Sequence, residues 1–468
     1  MTKESEPRVS FFLSILPIFI ILILLLVGYG IYQIRAEVLL VIGAFITGLI
    51  ASMAGFTWKE MQNGIVQNIT KALPAMLIVI CVGILIGSWI AAGTIPMLIF
   101  YGLQLLSPKF FLFSACLICS VISLFTGTSW GTVGTVGVAL MGVAEGLHIP
   151  LPQAAAAIIS GAYFGDKLSP FSDTTNLAPI AAGSNIFDHI KHMLWTTLPA
   201  WSIGLIIFLI IGVHSDYHAL VNLPTTLLEG LRQNFQFNIL LLLPALIILY
   251  FAFRQLPTIP GMLISSFTAV ILGLIFQHSS LIDLLNVLTT GYQSNTGLEV
   301  LDKLLSRGGM MSMMGVTLIA FCAFGFAGIM QGTGMLDNIL HKLASFTHTT
   351  GRLIASTVLS CISIALMTGS SFLTIIIPGE LFAPLYKMKN LAAKNLSRTT
   401  EDSGTVVVPL IPWSMAGVFM SGTLGVTTFD YLPWCFMNYL GFIFALIYGF
   451  TGWGIAPKIR DDETIPGS

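Results

Sequence analysis

The chain has 468 residues, 55% of them hydrophobic and 9% charged, with a formal net charge of −1. Soluble domains carry about 25% charged residues, so 20 Lys and Arg with 21 Asp and Glu cannot clothe a globule of this size. A soluble enzyme, a nucleic-acid binder and a disordered chain are excluded, and the long, continuously apolar runs point to a polytopic all-α membrane protein rather than a transmembrane barrel.

Residues 1–10 are polar and an apolar run follows from Phe11 to Val27. Gly28-Tyr29-Gly30 comes next instead of a small-residue cleavage site, so the run reads as an uncleaved first span and not as a signal peptide. Further runs able to cross ~30 Å of hydrocarbon lie near 37–55, 72–92, 109–126, 190–213, 236–253, 257–277, 311–331, 352–368 and 431–456. Between them, 128–147, 152–182, 371–386 and 391–422 are apolar but broken by Gly, Pro, Ser, Thr and a few charges. Irregular backbone at membrane depth persists only where protein or a cavity covers it, which puts these segments inside the fold. About ten to twelve crossings result. Lys458 and Arg460 follow the last span, ahead of Asp461, Asp462 and Glu463, and the C-terminus is expected on the cytoplasmic side.

All six cysteines (Cys81, Cys116, Cys119, Cys322, Cys361, Cys435) sit in apolar runs and read as small buried side chains, Cys116-x-x-Cys119 included. The eight histidines (His148, His189, His192, His214, His218, His278, His341, His348) are expected in loops or near helix ends. None forms a His-Glu-x-x-His motif, so neither a haem or zinc site nor a histidine proton relay is expected.

Two related halves are visible. Cys81-Val-Gly-Ile-Leu-Ile-Gly87 matches Cys322-Ala-Phe-Gly-Phe-Ala-Gly328, offset by 241, and Gly93 matches Gly334. Leu124-Phe-Thr-Gly-Thr-Ser129 matches Leu366-Met-Thr-Gly-Ser-Ser371, offset by 242. Asp166 and Asp173 are paired with Asn395 and Asp402, offset by 229, which implies about thirteen extra residues in the first copy. The expected organisation is a first repeat over 1–213, a polar linker over 214–229 and a second repeat over 230–468. Paired broken helices in two related halves mark a secondary transporter with a midplane site.

The densest polar cluster lies in Gly161–Pro179. A charge at the bilayer centre costs at least ~2.5–3.5 kcal/mol, so Asp166, Lys167 and Asp173 must serve something or be paired. Pro170 breaks the helix, and a new helix starts near Ser172, capped by Asp173 or Thr174. Freed carbonyls, Asp173 and the oxygens of Ser172, Thr174, Thr175 and Asn176 would form a shell for a hard cation such as Na⁺. The bland alternatives are an ion pair or loop pair for Asp166 and Lys167, and a cap alone for Asp173. The second cluster holds adjacent Glu401 and Asp402, with Ser403 and Thr405. Close carboxylates raise one another's pKa, so one can hold either H⁺ or Na⁺, with Arg398 one turn back. A solvated helix start would also explain these acids. Thr126, Thr128 and Ser129, and Thr368, Ser370 and Ser371, read as tips of re-entrant hairpins that offer hydroxyls. Glu145 and Glu380 are expected at the interface, outside the site.

The stretch Gly165-Asp-Lys-Leu-Ser-Pro-Phe-Ser-Asp-Thr-Thr-Asn-Leu-Ala178, with Thr126-Gly-Thr-Ser129 and Glu401-Asp-Ser-Gly-Thr405, resembles the NhaC-type Na⁺/H⁺ antiporter family. The resemblance covers nearly the whole chain. It implies a multi-pass protein of the bacterial inner membrane, with inverted repeats, re-entrant hairpins, a scaffold region and a moving transport region, commonly dimeric. No cofactor or nucleic acid is implied; Na⁺ and H⁺ are cargo. Asp173 and Asp402 are the expected Na⁺ ligands. That family also contains malate–proton/sodium–lactate antiporters, and an organic-anion exchanger is the competing reading, with Lys167 and Arg398 as countercharges. An intramembrane aspartyl protease would need glycine at the position of Tyr163.

Overall fold

The computed structural model describes residues 9–29, 31–32, 34–215, 223–254 and 256–457. Lys458, Arg460 and the following acids, on which the orientation rests, lie outside the described residues, as do residues 1–8 and His218. The first half runs α1 (Phe11–Ile23, continued by a π turn to Tyr29), α2 (Ala36–Met53), α3 (Trp58–Ala92), α4 (Thr94–Leu105), α5 (Phe111–Thr126), α6 (Ser129–Thr132), α7 (Val138–Gly146), α8 (Leu151–Leu168), α9 (Asp173–Ala182) and α10 (Ile186–His214). After α11 (Leu223–Asn234) come α12 (Leu243–Phe253), α13 (Thr258–Phe276), α14 (Leu281–Thr290) and α15 (Glu299–Leu305). Next are α16 (Met314–Gly332), α17 (Met335–Ala344), α18 (Thr350–Thr368) and α19 (Leu373–Met388). The chain closes with α20 (Ala393–Thr400), α21 (Met415–Leu424), α22 (Thr428–Tyr431) and α23 (Phe436–Thr451). No β-strand occurs among the described residues; Leu391 and Pro457 form an isolated bridge.

Seven of these helices are long and apolar enough to cross a membrane, and four bent helix pairs raise the number to as many as eleven. Their outward faces carry Phe45, Ile206, Phe267, Ile271 and Phe450, all exposed, as hydrocarbon contact requires. The run read at 72–92 is longer than its apolar part. A capping box starts α3 at Trp58: Thr57 N donates to the Glu60 carboxylate at 2.7 Å, and Glu60 N donates to Thr57 Oγ1 at 3.4 Å. Its far end stops at Gly93, whose φ of 88° lets the chain bend by 73° into α4. The sequence reading left α4 unassigned, because twelve residues are too few to span alone.

The repeat is visible in the element boundaries. Residues 393–410 lie 242 positions beyond α8, and α21 lies 242 beyond α9. Gly127 and Gly369, with φ of 68° and 62°, end α5 and α18, and Gly183 and Gly425, with φ of 76° and 71°, end α9 and α21. The caps Ser172 and Ser414 fall on the same offset. The pairing of Asp166 and Asp173 with Asn395 and Asp402 is therefore corrected. Asp402 falls opposite Ser160 and Asp173 opposite Met415, and this stretch of the first copy has no extra residues. An acid–acid pair and an amide–acid pair of equal spacing imitated a repeat that the helix boundaries do not share.

Contacts between the halves are exchanged. Asn68 Nδ2 donates to the Phe324 carbonyl at 3.2 Å, and Gly309 N to the Gly83 carbonyl at 2.6 Å; each partner lies 241 positions from its counterpart. Likewise α9 packs on α19, and α21 on the π turn Val133–Gly137. The two halves therefore meet through contacts whose partners exchange places in the repeat register.

Candidate functional site

The second broken segment carries the charge. Asp402 sits in a π turn, Glu401–Thr405, after α20. Back-bonds from Thr399 to the Asn395 carbonyl at 2.8 Å and from Thr405 to the Glu401 carbonyl at 2.9 Å compete with the helix ladder there. Glu401, Asp402 and Arg398 are fully buried and Lys167 is 2% exposed. Asp402 Oδ1 pairs with Lys167 Nζ and accepts from Thr196 Oγ1 at 3.0 Å. Asp402 Oδ2 stands 4.0 Å from Arg398 Nε and has no hydrogen-bond partner among the described residues. Arg398 Nη1 donates to the Gly454 carbonyl at 2.8 Å, and its guanidinium lies over the Tyr448 ring. Thr405 Oγ1 donates to Glu401 Oε2, while Glu401 Oε1 meets no partner among the described residues. Burying Lys167, Arg398 and Asp402 is tolerable because they pair with one another.

The first broken segment is tied to the first hairpin tip. Ser129 N and Oγ donate to Asp166 Oδ2 at 3.2 and 2.7 Å, so Asp166 caps the start of α6. Thr128 Oγ1 accepts from Gly131 N at 3.1 Å, and Thr126 Oγ1 is buried without a partner among the described residues. The carbonyls freed by Pro170 do not form an open shell. Thr175 Oγ1 donates to the carbonyls of Asp166 and Lys167, both at 3.1 Å, and Asn176 Nδ2 to those of Pro170 and Ser172, at 2.8 and 2.7 Å. Ser172, not Asp173 or Thr174, caps α9, and its hydroxyl meets that of Thr174 at 3.2 Å. Ser172 has the extended backbone that a cap needs, whereas Asp173 is already the first helical residue. Asp173 is exposed there, whereas Asp402 is fully buried.

The second hairpin tip lines a cavity of about 210 Å³ with Asn68, Phe324, Phe372, Leu373 and Met415; Thr368 and Ser370 supply its tip hydroxyls. No charged side chain lines it. Ser371 gives its carbonyl to Thr374 Oγ1 at 2.6 Å, and Ser403 Oγ donates to the Thr399 carbonyl at 2.5 Å. The site residues thus fall into a charged cluster around Asp402, an Asp166–Ser129 junction, and an uncharged cavity.

Sequence reasoning missed Thr196, Asn68, His189 and His192. His189 Nδ1 lies 2.8 Å from Ser397 Oγ, and His192 Nε2 lies 3.0 Å from Asn395 Oδ1, both buried inside the fold. They were expected near a helix end, and do lie in the first two turns of α10, where each meets an α20 side chain. Glu145, expected at the interface, pairs with Arg307 at 2.5 Å.

A multi-pass helical bundle whose broken helices meet around buried charges has the architecture of a secondary transporter. The Na⁺/H⁺ antiporter family model matches residues 161–453. An uncharacterized Na⁺/H⁺ antiporter of Haemophilus influenzae is 44% identical over 447 residues, covering 94% of this chain and 96% of its own. The Na⁺/H⁺ antiporter NhaC of Alkalihalophilus pseudofirmus is 36% identical, covering 97% and 98%. A malate-2H⁺/Na⁺-lactate antiporter of Bacillus subtilis is 35% identical, covering 89% of each chain. The chain belongs to the Na⁺/H⁺ antiporter family and is a multi-pass bacterial membrane protein.

Proposed function

We propose that the protein exchanges Na⁺ for H⁺, with the cluster around Asp402 as its site and 1–213 and 230–468 as its repeats. The carrying observation is a pair of enclosed carboxylate oxygens: Glu401 Oε1 and Asp402 Oδ2 are buried with no hydrogen-bond partner among the described residues. A buried acceptor left without a donor is costly, and either one H⁺ or one Na⁺ on these oxygens supplies the missing partner. Occupancy by one or the other is what exchange requires. Na⁺ favours the hard oxygens of Asp402, Glu401 and Thr405; H⁺ needs only a carboxylate. Rocking of one repeat against the other would open the site to each side in turn.

In everted vesicles, Na⁺ should dissipate a preformed ΔpH, and Asp402→Asn should abolish the response. Wild-type exchange by that variant removes the assignment.

A second reading is organic-anion exchange. It draws on the cavity of about 210 Å³ at the second tip, roomy enough for a small organic acid, since an engineered cavity of about 150 Å³ holds benzene. Its uncharged lining would take a dianion such as malate only with accompanying cations. Counterflow of labelled malate or lactate in proteoliposomes, with and without Na⁺, decides between the readings.

A further inference from the structure

Ser160 Oγ and Tyr163 Oη on α8 and Asn438 Oδ1 on α23 are buried with no hydrogen-bond partner among the described residues. Their residues are 1%, 4% and 0% exposed. Unpaired buried oxygens are rare in native proteins and call for an occupant. Ser160 and Tyr163 stand one turn apart on one face of α8, and α8 packs against α23.

The repeat register relates these atoms to the charged cluster. Ser160 lies 242 residues before Asp402, and Asn438 lies 242 after Thr196. Thr196 Oγ1 donates to Asp402 Oδ1, and by the repeat register the counterpart pair is Asn438 and Ser160. Asn438 Nδ2 is already committed to the Val406 carbonyl at 2.9 Å, which leaves its Oδ1 as the free acceptor. The Tyr163 hydroxyl lies beside Ser129 and Trp130 and within electrostatic reach of Asp166.

We propose that Ser160, Tyr163 and Asn438 hold a second Na⁺, the symmetry counterpart of the Asp402 site, with Asp166 as a negative charge near Tyr163. A hydroxyl, a phenol and an amide oxygen are hard ligands that stay uncharged near neutral pH, so this position binds a metal ion and not an exchangeable proton. The inference rests on the Na⁺/H⁺ reading, since it adds an ion to that exchange.

Equilibrium binding of radioactive Na⁺ to the purified full chain counts the ions. Wild type should bind two per chain, and both Asn438→Leu and the double variant Ser160→Ala with Tyr163→Phe should bind one. One ion per wild-type chain, the result if water occupies the position, overturns the proposal, as does an unchanged count in the variants. If those variants do not fold, Asn438→Asp decides: its added carboxylate should lower the half-saturating Na⁺ of one ion about tenfold, and an unchanged value overturns the proposal. Wild-type vesicles without Na⁺-dependent ΔpH would instead overturn the exchange reading, so the two failures are distinguishable.

Discussion

Lys167 of α8 and Asp402 after α20 come from opposite halves of the chain and pair with each other, neither more than 2% exposed. The pair joins the broken helices of the two repeats, and each charge depends on the other for its tolerance of burial. Asp402→Asn leaves both Lys167 and Arg398 without their acid. Removing one partner of a buried pair costs about 3–5 kcal/mol, and this variant should sit at the upper end. Lys167→Met leaves Asp402 with Arg398 4.0 Å away and should cost less. Thermal unfolding in detergent reads the order, and equal losses would mean that Arg398 does not share the acid.

Each hairpin tip presses its glycine on the break of its own half. A Cβ on Gly127 would lie 2.6 Å from the Phe171 backbone, and one on Gly369 would lie 3.0 Å from Ser414 Cα. Both glycines also hold positive φ, which side chains disfavour. Gly127→Val and Gly369→Val should therefore cut the exchange rate at least about tenfold through strain of about 1–3 kcal/mol. Rates per reconstituted protein check this, and Gly183→Ala is the comparison: same sign of φ, open space around it, and so a smaller loss.

The spans, the breaks and both tips were legible because they are local. Apolar length, Pro170 and the Gly127 and Gly369 turns speak within a few residues of themselves. The assignment of partners was not local. Lys167 is conspicuous as a buried cation, but nothing near it says that its acid is Asp402, 235 residues away. Asp173 looked equivalent to Asp402 because each ends a seven-residue acidic or amide spacing, yet the helix boundaries set it opposite Met415. Thr196, His189 and His192 lie on one apolar-looking helix, and their polar partners, Asp402, Ser397 and Asn395, come from the other half of the chain.

Asn68 tests the cavity independently of the charge cluster. Its amide bonds the Phe324 carbonyl and it lines the cavity at the second tip. Asn68→Leu removes one hydrogen bond, about 0.5–1.5 kcal/mol, and fills the space with an apolar side chain. Na⁺-dependent ΔpH should stay within about threefold of wild type, less than one tenfold step in free energy. Any malate or lactate counterflow should be lost. Loss of both together would place the cation path through the cavity.

Glu145 and Arg307 offer the contrasting case of a cross-half pair near the surface. Their side chains are 17% and 35% exposed and meet at 2.5 Å. Glu145 lies in the last turn of α7, where a negative charge opposes the helix dipole, so Arg307 offsets an unfavourable placement. Arg307 also stands near Gly425 at the end of α21, with Nη1 3.8 Å from where a Cβ there would be. Water screens such a pair, and its net worth is about 0.2–1 kcal/mol. Glu145→Gln should lower unfolding stability by no more than that, and the difference should shrink as salt rises. The pair nevertheless ties the return of the first hairpin to the loop before α16, so the exchange rate should respond more than stability does. Swapping the charges with Glu145→Arg and Arg307→Glu should restore the rate. A swap as slow as either single variant would show that the two residues act separately and that no ionic clasp between the halves sets the rate.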